Sequence, residues 1–379
     1  MPVSFDPDQP YNNLPPLPPE SYVQAQDVAL VPALISAHRA LAELKGIAHS
    51  LPNPTLLLDL VTLRESQASS AIENLVTTQD ELYRALAQGV LFSHRTMERE
   101  GDPVKEVLRY RQAMYVGQEL LAQKKGIGTT LCTEVMRVIK AGGAGIRQYP
   151  GTRIGRSDGS TIYTPPQGEA LIRTKLRDWE NYINGGYLDA GHDPLVAMAL
   201  AHYQFEAIHP FADGNGRTGR IVNVLHLINA DLLRSPTLYL SQYINKERDE
   251  YYRGLRDVTE QQAWAPWIRF MVKATEVTAR QTIQDIQRIN ELMEEYLDKI
   301  RATLGDRIPA ERIRDLMFRH AYVKINMLER EDIAKRQTAS RYLHALTAAG
   351  GGPDLLRSEV VGREVYFRNH RLLSILSAD

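Results

Sequence analysis

Apolar positions recur at three- and four-residue spacing along most of this 379-residue chain, which predicts a mainly helical protein. The clearest stretch is 276–303, EVTARQTIQDIQRINELMEEYLDKIRAT, where Ile283, Ile286, Ile289, Met293, Tyr296 and Ile300 form one stripe. That stripe predicts a single long amphipathic helix linking two domains. Upstream, PNPTLLLDLVTLRESQASSAIENL offers Asn53 as a cap and Pro54 in the first turn, followed by helical spacing. Further helices are predicted over Val107 to Lys124, Leu131 to Ile139, Leu171 to Ile183 and Pro194 to Ile208, and through RIVNVLHLINADLL.

The helical rhythm breaks in two places. In GTRIGRSDGSTIYTPP, two β-prone segments flank Ser157-Asp158-Gly159, and Pro165-Pro166 ends the pairing, so a hairpin is predicted within 152–168. Near the C-terminus a helix over Ala310 to Arg319 is followed by MLEREDIAKR, TASRYLHALTAAG and a hairpin turning at Gly362. Helix, short helix, helix and β-ribbon is the outline of a winged helix-turn-helix. Residues 1–20, rich in proline and asparagine, read as an extended arm. The expected architecture is therefore all-α with one hairpin, plus a small winged-helix domain. Its parts are an arm and first helix (1–50), a helical core (51–275), a linking helix (276–304) and a C-terminal domain (305–379).

Composition narrows the class. Charged residues are 24% and the net charge is -1, so no bulk field points to nucleic acid or an acidic membrane. Cys132 is the single cysteine, which excludes an internal disulfide and suits a reducing compartment. The start has neither a basic end nor an apolar run, and no run of about 18 apolar residues follows. A cytoplasmic globular protein is expected, with no membrane partner.

Against this background HPFADGNGRTGR, residues 209–220, is costly as scaffold, because glycine loses backbone entropy and arginine resists burial. A G-x-G-x-x-G match lies within it, yet the preceding DPLVAMALAHYQFEAIHP reads as helix, which excludes a dinucleotide fold. No lysine followed by serine or threonine closes a Walker loop. What remains is a glycine loop entering a helix start, where free N–H groups and the dipole favour an anion. Arg217 and Arg220, three apart, share roughly one face and suit a polyphosphate. Asp213 suits Mg²⁺ shared with phosphate oxygens, and His209 a proton acceptor for an incoming hydroxyl. His202, two turns upstream, reads as an ordinary core histidine.

The twelve residues resemble the signature of Fic-domain proteins, H-P-F-x-D/E-G-N-G-R-x-x-R, at every specified position. The resemblance covers roughly residues 50–275 and implies transfer of AMP from ATP to a protein hydroxyl, with release of pyrophosphate. It makes His209 the general base and Asp213 the holder of Mg²⁺. Gly214, Asn215 and Gly216 become the anion hole, and Arg217 and Arg220 the grip on the terminal phosphates, with Thr218 and Gly219 in the same nucleotide-binding stretch. The hairpin becomes a flap that registers the target chain by strand addition, placing Thr161, Ile162 and Tyr163 beside nucleotide or target. Tyr251 and Tyr252 match a pair lining the adenine pocket.

A second segment, Ser69-Ser70-Ala71-Ile72-Glu73-Asn74, closes the helix that begins at Pro54. An acid in a last turn opposes the dipole and calls for a cation. The segment resembles the family's inhibitory motif, S/T-x-x-x-E-G/N, at Ser69, Glu73 and Asn74. That implies a brake carried in the same chain, with Glu73 paired to Arg220 in the space of the ATP γ-phosphate.

Two other functions compete with an AMP transferase. One is a DNA-binding regulator with a nucleotide-sensing core, using Arg330, Lys335, Arg336, Arg341, Arg363, Arg368 and Arg371 near the recognition helix and wing. Glu329, Glu331, Asp332 and Glu364 are interleaved with those charges. The other is a hydrolase removing AMP from modified proteins. The partners in view are a target protein on the flap, a second copy of this chain, and DNA.

Overall fold

The computed structural model describes residues 5–50, 54–88, 102–123, 126–143, 145–155, 158–361 and 364–377. The Asn53 cap, Lys124, Ser157, the Gly362 turn and Arg363 lie outside them.

Fixed caps start several helices of the core. After α1 (Val31–Ser50) and α2 (Pro54–Ile72), α3 (Gln79–Ala87) opens on a reciprocal Thr78–Glu81 capping box. Asp102 caps α4 (Pro103–Ala122), which has proline in its first turn, and α5 (Thr129–Ile139) follows. β1 (Ile154–Gly155) and β2 (Thr161–Tyr163) then pair antiparallel, Ile154 opposite Tyr163. Next, α6 (Glu169–Asn181) passes through a π turn (Tyr182–Gly186) into the single turn α7 (Tyr187–Asp189).

At the centre lies α8 (Pro194–Ile208), started by Asp193 and Pro194 and buried on every side from Leu195 to Phe205. A helix apolar all round has no solvent face to offer and must be interior. It packs on α9 (Asn215–Asn229). α10 (Leu240–Lys246) and α11 (Arg248–Gln261) complete the core before α12.

α12 runs over Trp264–Leu304, 41 residues or about 60 Å. It begins at Trp264 rather than near 276 because Trp267, Ile268, Met271 and Val272 continue the buried stripe upstream. Its N-terminal half, through Ile286, belongs to the core of α1, α8 and α9. From Ile289 onward it belongs to a second core with the C-terminal domain. α2 is shared in the same way: Val61 and Ile72 lie in the first core, Leu60 and Leu63 in the second. A buried Arg64–Asp285 pair, with Tyr239 donating to Asp285 at 2.8 Å, pins α2 to α12.

The C-terminal domain runs through a helix, a short strand, two helices, a two-stranded ribbon and a closing helix. α13 (Ala310–Arg319), β3 (Tyr322–Val323), α14 (Ile325–Arg330) and α15 (Arg336–Ala345) precede β4 (Arg357–Val361), β5 (Glu364–Arg368) and α16 (His370–Leu376). The antiparallel sheet has the order β3-β5-β4. Arg84 on α3 reaches Glu359 on the wing at 2.9 Å, so the wing leans on the core. No helix among the described residues is long and apolar enough to cross a membrane.

Candidate active site

The site is built where α8 stops. His209 ends the helix in the left-handed region, φ 50° and ψ 60°, with its N–H still bonded to Phe205 O at 3.0 Å. Helix-end carbonyls lack intrahelical partners, and Arg147 supplies one. Its Nε donates to His209 O at 2.7 Å and a terminal nitrogen to Ile208 O at 3.2 Å and to Pro166 O. A buried cation on a helix C-terminus also complements the dipole. Arg147 therefore fixes both the exit of α8 and the strap that follows the hairpin.

The loop closes on itself through Asn215. Its Nδ2 donates to Phe211 O at 2.8 Å and its Oδ1 accepts from Phe211 N–H at 2.9 Å. Gly214 has φ 76°, a left-handed backbone that favours glycine, and a Cβ there would press on Met136 Sδ at 2.8 Å. The loop thus delivers the first turn of α9, whose N–H groups have no intrahelical acceptor, to the floor of a cavity of about 750 Å³.

Arg217 and Arg220 diverge instead of sharing a face. Arg217 donates to Glu106 on α4 at 2.8 Å; Arg220 turns to α2, where Nε donates to Ser69 Oγ at 2.8 Å and a terminal nitrogen to Ser69 O at 3.0 Å and Glu73 Oε1 at 2.8 Å. Both arginines are buried. Three residues of helix rotate by about 300°, which leaves two long side chains roughly 60° apart, enough to meet different neighbours.

Glu73 reaches this place because α2 ends in a Schellman turn. Asn74 sits at φ 62°, Asn74 N–H bonds Ala71 O, and Leu75 N–H bonds Ser70 O. The left-handed position explains a glycine-or-asparagine preference after the glutamate. Glu73 Oε1 lies 2.5 Å from where a Cβ on Gly216 would be, so the carboxylate rests on the first turn of α9. An internal anion occupies a helix start built for one. Burial alone would raise its carboxyl; the charge and hydrogen bond of Arg220, with Arg217 behind, outweigh this and hold it below the ordinary value.

Around that floor the cavity is walled by four elements. α8 gives Tyr203, Glu206, Ala207 and His209; the hairpin gives Ile154, Gly155, Ile162 and Tyr163. α11 contributes Arg248, Tyr252, Leu255 and Arg256 among others, and Phe5 of the arm stacks on Tyr163. Tyr11 N–H donates to Thr164 O at 2.9 Å, so the arm lies along the strap after β2. Burial, then Arg147, push the His209 imidazole down to about 4, which keeps it neutral at pH 7 as a base must be. Asp213 pairs with Lys140 Nζ and accepts from Gly214 N–H. Burial works against its charge, and Lys140 more than compensates, leaving it below the usual value.

No group of three His, Cys, Asp or Glu side chains is gathered for a metal among the described residues. A single carboxylate is no protein cage; it fits a Mg²⁺ that takes its remaining ligands from phosphates and water.

Not every residue expected here lines the cavity. His209, Asp213, Gly214, Asn215, Gly216, Arg220, Glu73, Ile162, Tyr163, Tyr251 and Tyr252 do; Arg217, Thr218, Gly219 and Thr161 do not. Thr218 packs its hydroxyl towards Met136, and Gly219 makes room for Glu206. Tyr251 is chiefly a core residue, buried against Trp267 with its hydroxyl on His202 Nε2 at 2.8 Å, whereas Tyr252 is 45% exposed. Sequence reading missed Arg147, Glu106, Lys140 and Arg248. It also missed Glu206, whose carboxyl burial raises to about 8 and whose Oε1 has no hydrogen-bond partner among the described residues. An acid inside an otherwise apolar helix was the one available signal.

A helical domain thus aims a neutral histidine and a glycine-loop helix start into one cavity of about 750 Å³. Three family models match: Fic/DOC family N-terminal over residues 31–119, Fic/DOC family over 131–227, and the C-terminal domain of SoFic-like protein adenylyltransferase over 292–372. By these matches the chain is similar to Fic/DOC family proteins in its N-terminal, central and C-terminal parts. A protein adenylyltransferase Fic of Drosophila willistoni is 34% identical over 115 residues, 30% of this chain and 21% of that protein. Its counterpart in Drosophila erecta is 33% identical over the same shares. This chain therefore spans about a fifth of the length of these relatives. Among solved structures, a Fic family protein from Desulfovibrio desulfuricans shares the fold at TM-score 0.55 and 20% identity, covering 89% of this chain and 96% of the other. Fic-1 of C. elegans does so at 0.52 and 23%, covering 70% and 76%.

Proposed function

We propose that this protein transfers AMP from ATP to a hydroxyl side chain of a target protein and is restrained by its own Glu73. The observation that carries the reading is the seat of Glu73: a carboxylate on the first turn of α9, bonded to Arg220, beside a neutral His209. The matches to named adenylyltransferases support the same chemistry at family level.

In the reaction, His209 takes the proton of the attacking hydroxyl. The oxygen–phosphorus bond forms at the α-phosphate, the bond to the β-phosphate breaks, and pyrophosphate leaves. The N–H groups of the 214–216 turn hold developing negative charge, worth the most in a dry site. Arg220, released from Glu73, grips the terminal phosphates. Asp213, leaving Lys140, would hold Mg²⁺, which neutralises phosphate charge when bound. The target strand adds to the hairpin, whose Ile154, Gly155, Ile162 and Tyr163 line the cavity.

Self-modification from labelled ATP tests this in three proteins. Glu73→Gly should exceed wild type, and Glu73→Gly with Arg220→Ala should fall back towards it. Equal rates in wild type and Glu73→Gly would overturn the brake. No label in any variant, with ATP binding intact, would overturn the transfer.

A further inference from the structure

The C-terminal domain carries a charged face remote from the nucleotide cavity's walls. α15 buries Ala339 and Leu343, which fixes its opposite side outward. Lys335, Arg336, Gln337, Arg341 and His344 are exposed there, and Arg330 is exposed at the end of α14. Positions 337, 341 and 344 fall at i, i+4, i+7 and form one stripe.

The cations of this face differ from their sequence neighbours in having no counterion among the described residues. Arg319 reaches Glu331 at 2.8 Å and Lys324 reaches Glu364 at 3.1 Å, so two of the interleaved acids are engaged elsewhere. Arg368 and Arg371 point back to Asp80 and Glu295 and leave the face. Arg330, Lys335, Arg336 and Arg341 make no ion pair with the described residues. The first turn of α15 holds no acid, so Arg336 stands unopposed against the positive end of the dipole.

We propose that this face binds duplex DNA, with α15 in the major groove. Arg330, Lys335 and Arg336 set the helix against phosphates, while Gln337, Arg341 and His344 meet base edges. The major groove admits one α-helix, and glutamine and arginine make bidentate contacts to adenine and guanine there. The chemistry favours nucleic acid over a protein or membrane partner. A protein hot spot needs a buried aromatic or apolar anchor and an interfacial helix an apolar face, and no large apolar side chain of α15 is exposed.

The test is fluorescence anisotropy of the full chain with a labelled random-sequence duplex across a potassium chloride series. Binding should weaken steeply with salt. Arg330→Gln with Lys335→Gln and Arg336→Gln should flatten the log–log slope by about 0.9 per cation removed, at an unchanged melting temperature. Selection from a random duplex pool should enrich one sequence with wild type, and Gln337→Ala should lose that enrichment at an unchanged slope. The proposal is overturned if wild type leaves the duplex free at low salt, if the triple variant keeps the wild-type slope, or if polyglutamate binds in preference to DNA.

Discussion

Arg217 and Arg220 on α9 are buried, each with a carboxylate 2.8 Å away, whereas Lys335, Arg336 and Arg341 on α15 are exposed and meet none among the described residues. Both helices begin with cations and no acid in the first turn. The difference lies in what the rest of the fold lays over them. α2 and α4 bring Glu73 and Glu106 to α9, whereas α15 packs on α14 and α12 by one side and no described element covers its outer face. A buried arginine without a partner costs several kcal/mol, so on the proposed function the first site exchanges the Glu73 carboxylate for a phosphate of ATP. The second, wet and exposed, gains only from an external polyanion and should respond to salt.

The sharpest way to separate the two regions is His209→Ala. It should lower AMP transfer by about 10²–10⁴ while leaving ATP binding and DNA anisotropy as they are; an unchanged transfer rate would remove His209 as the base. Next in size is the exchange of anions at Arg220. Glu73→Gly leaves that guanidinium buried and unpaired, so the variant should melt lower than wild type without nucleotide. ATP should raise its melting temperature more than it raises the wild type's, because the γ-phosphate replaces a missing charge instead of displacing a present one. Equal ATP shifts would show that Glu73 does not compete with phosphate.

Leu63→Ala tests whether the regions are independent. Leu63 is 1% exposed on α2 and packs in the C-terminal core. Its loss should cost about 2–5 kcal/mol. Because the same helix ends in Glu73, self-modification should also rise; a purely thermal effect would show that the brake does not depend on the second core.

The smallest effect expected is on pH dependence. Glu206, raised to about 8 by burial, holds a proton in the folded state that the unfolded chain releases near 4.5. The stability it confers is therefore present at low pH and lost as pH rises from about 4.5 to 8. Glu206→Gln should abolish that loss, so its melting temperature should gain on wild type progressively across this window. His209, His202 and His226 act in the opposite sense. Burial lowers them to about 4, about 3 and about 4, so stability should fall as pH drops from about 6.5 towards 4, when the unfolded chain takes up protons the folded one refuses. Melting curves of wild type and Glu206→Gln across pH check both signs.

Residue preference placed α8 over Pro194–Ile208, rich in alanine, leucine and methionine and poor in β-branched residues, and periodicity placed α13 over Ala310–Arg319. The dodecamer 209–220 was legible as a glycine loop entering a helix for a local reason: loop closure by Asn215, the left-handed Gly214 and the helix start all lie within a few residues. Glu73 was legible as an acid in want of a cation, and its motif supplied the partner. The long-range partners were not legible. Glu106 lies 111 residues before Arg217 and Lys140 73 before Asp213, and no spacing rule connects them.

The sequence by itself determined which segments are helical, where a glycine loop enters a helix, and which side chains could meet phosphate, since backbone preference and charge are local properties. Only the tertiary structure decided which cations are free. Packing α2 and α4 against α9 turned Arg220 to Glu73 and Arg217 to Glu106, while α3 and α12 withdrew Arg368 and Arg371 from the C-terminal face and left the outer side of α15 uncovered among the described residues. Whether a charge is a binding site depends on its counterions, and those are assembled from residues far apart in the chain.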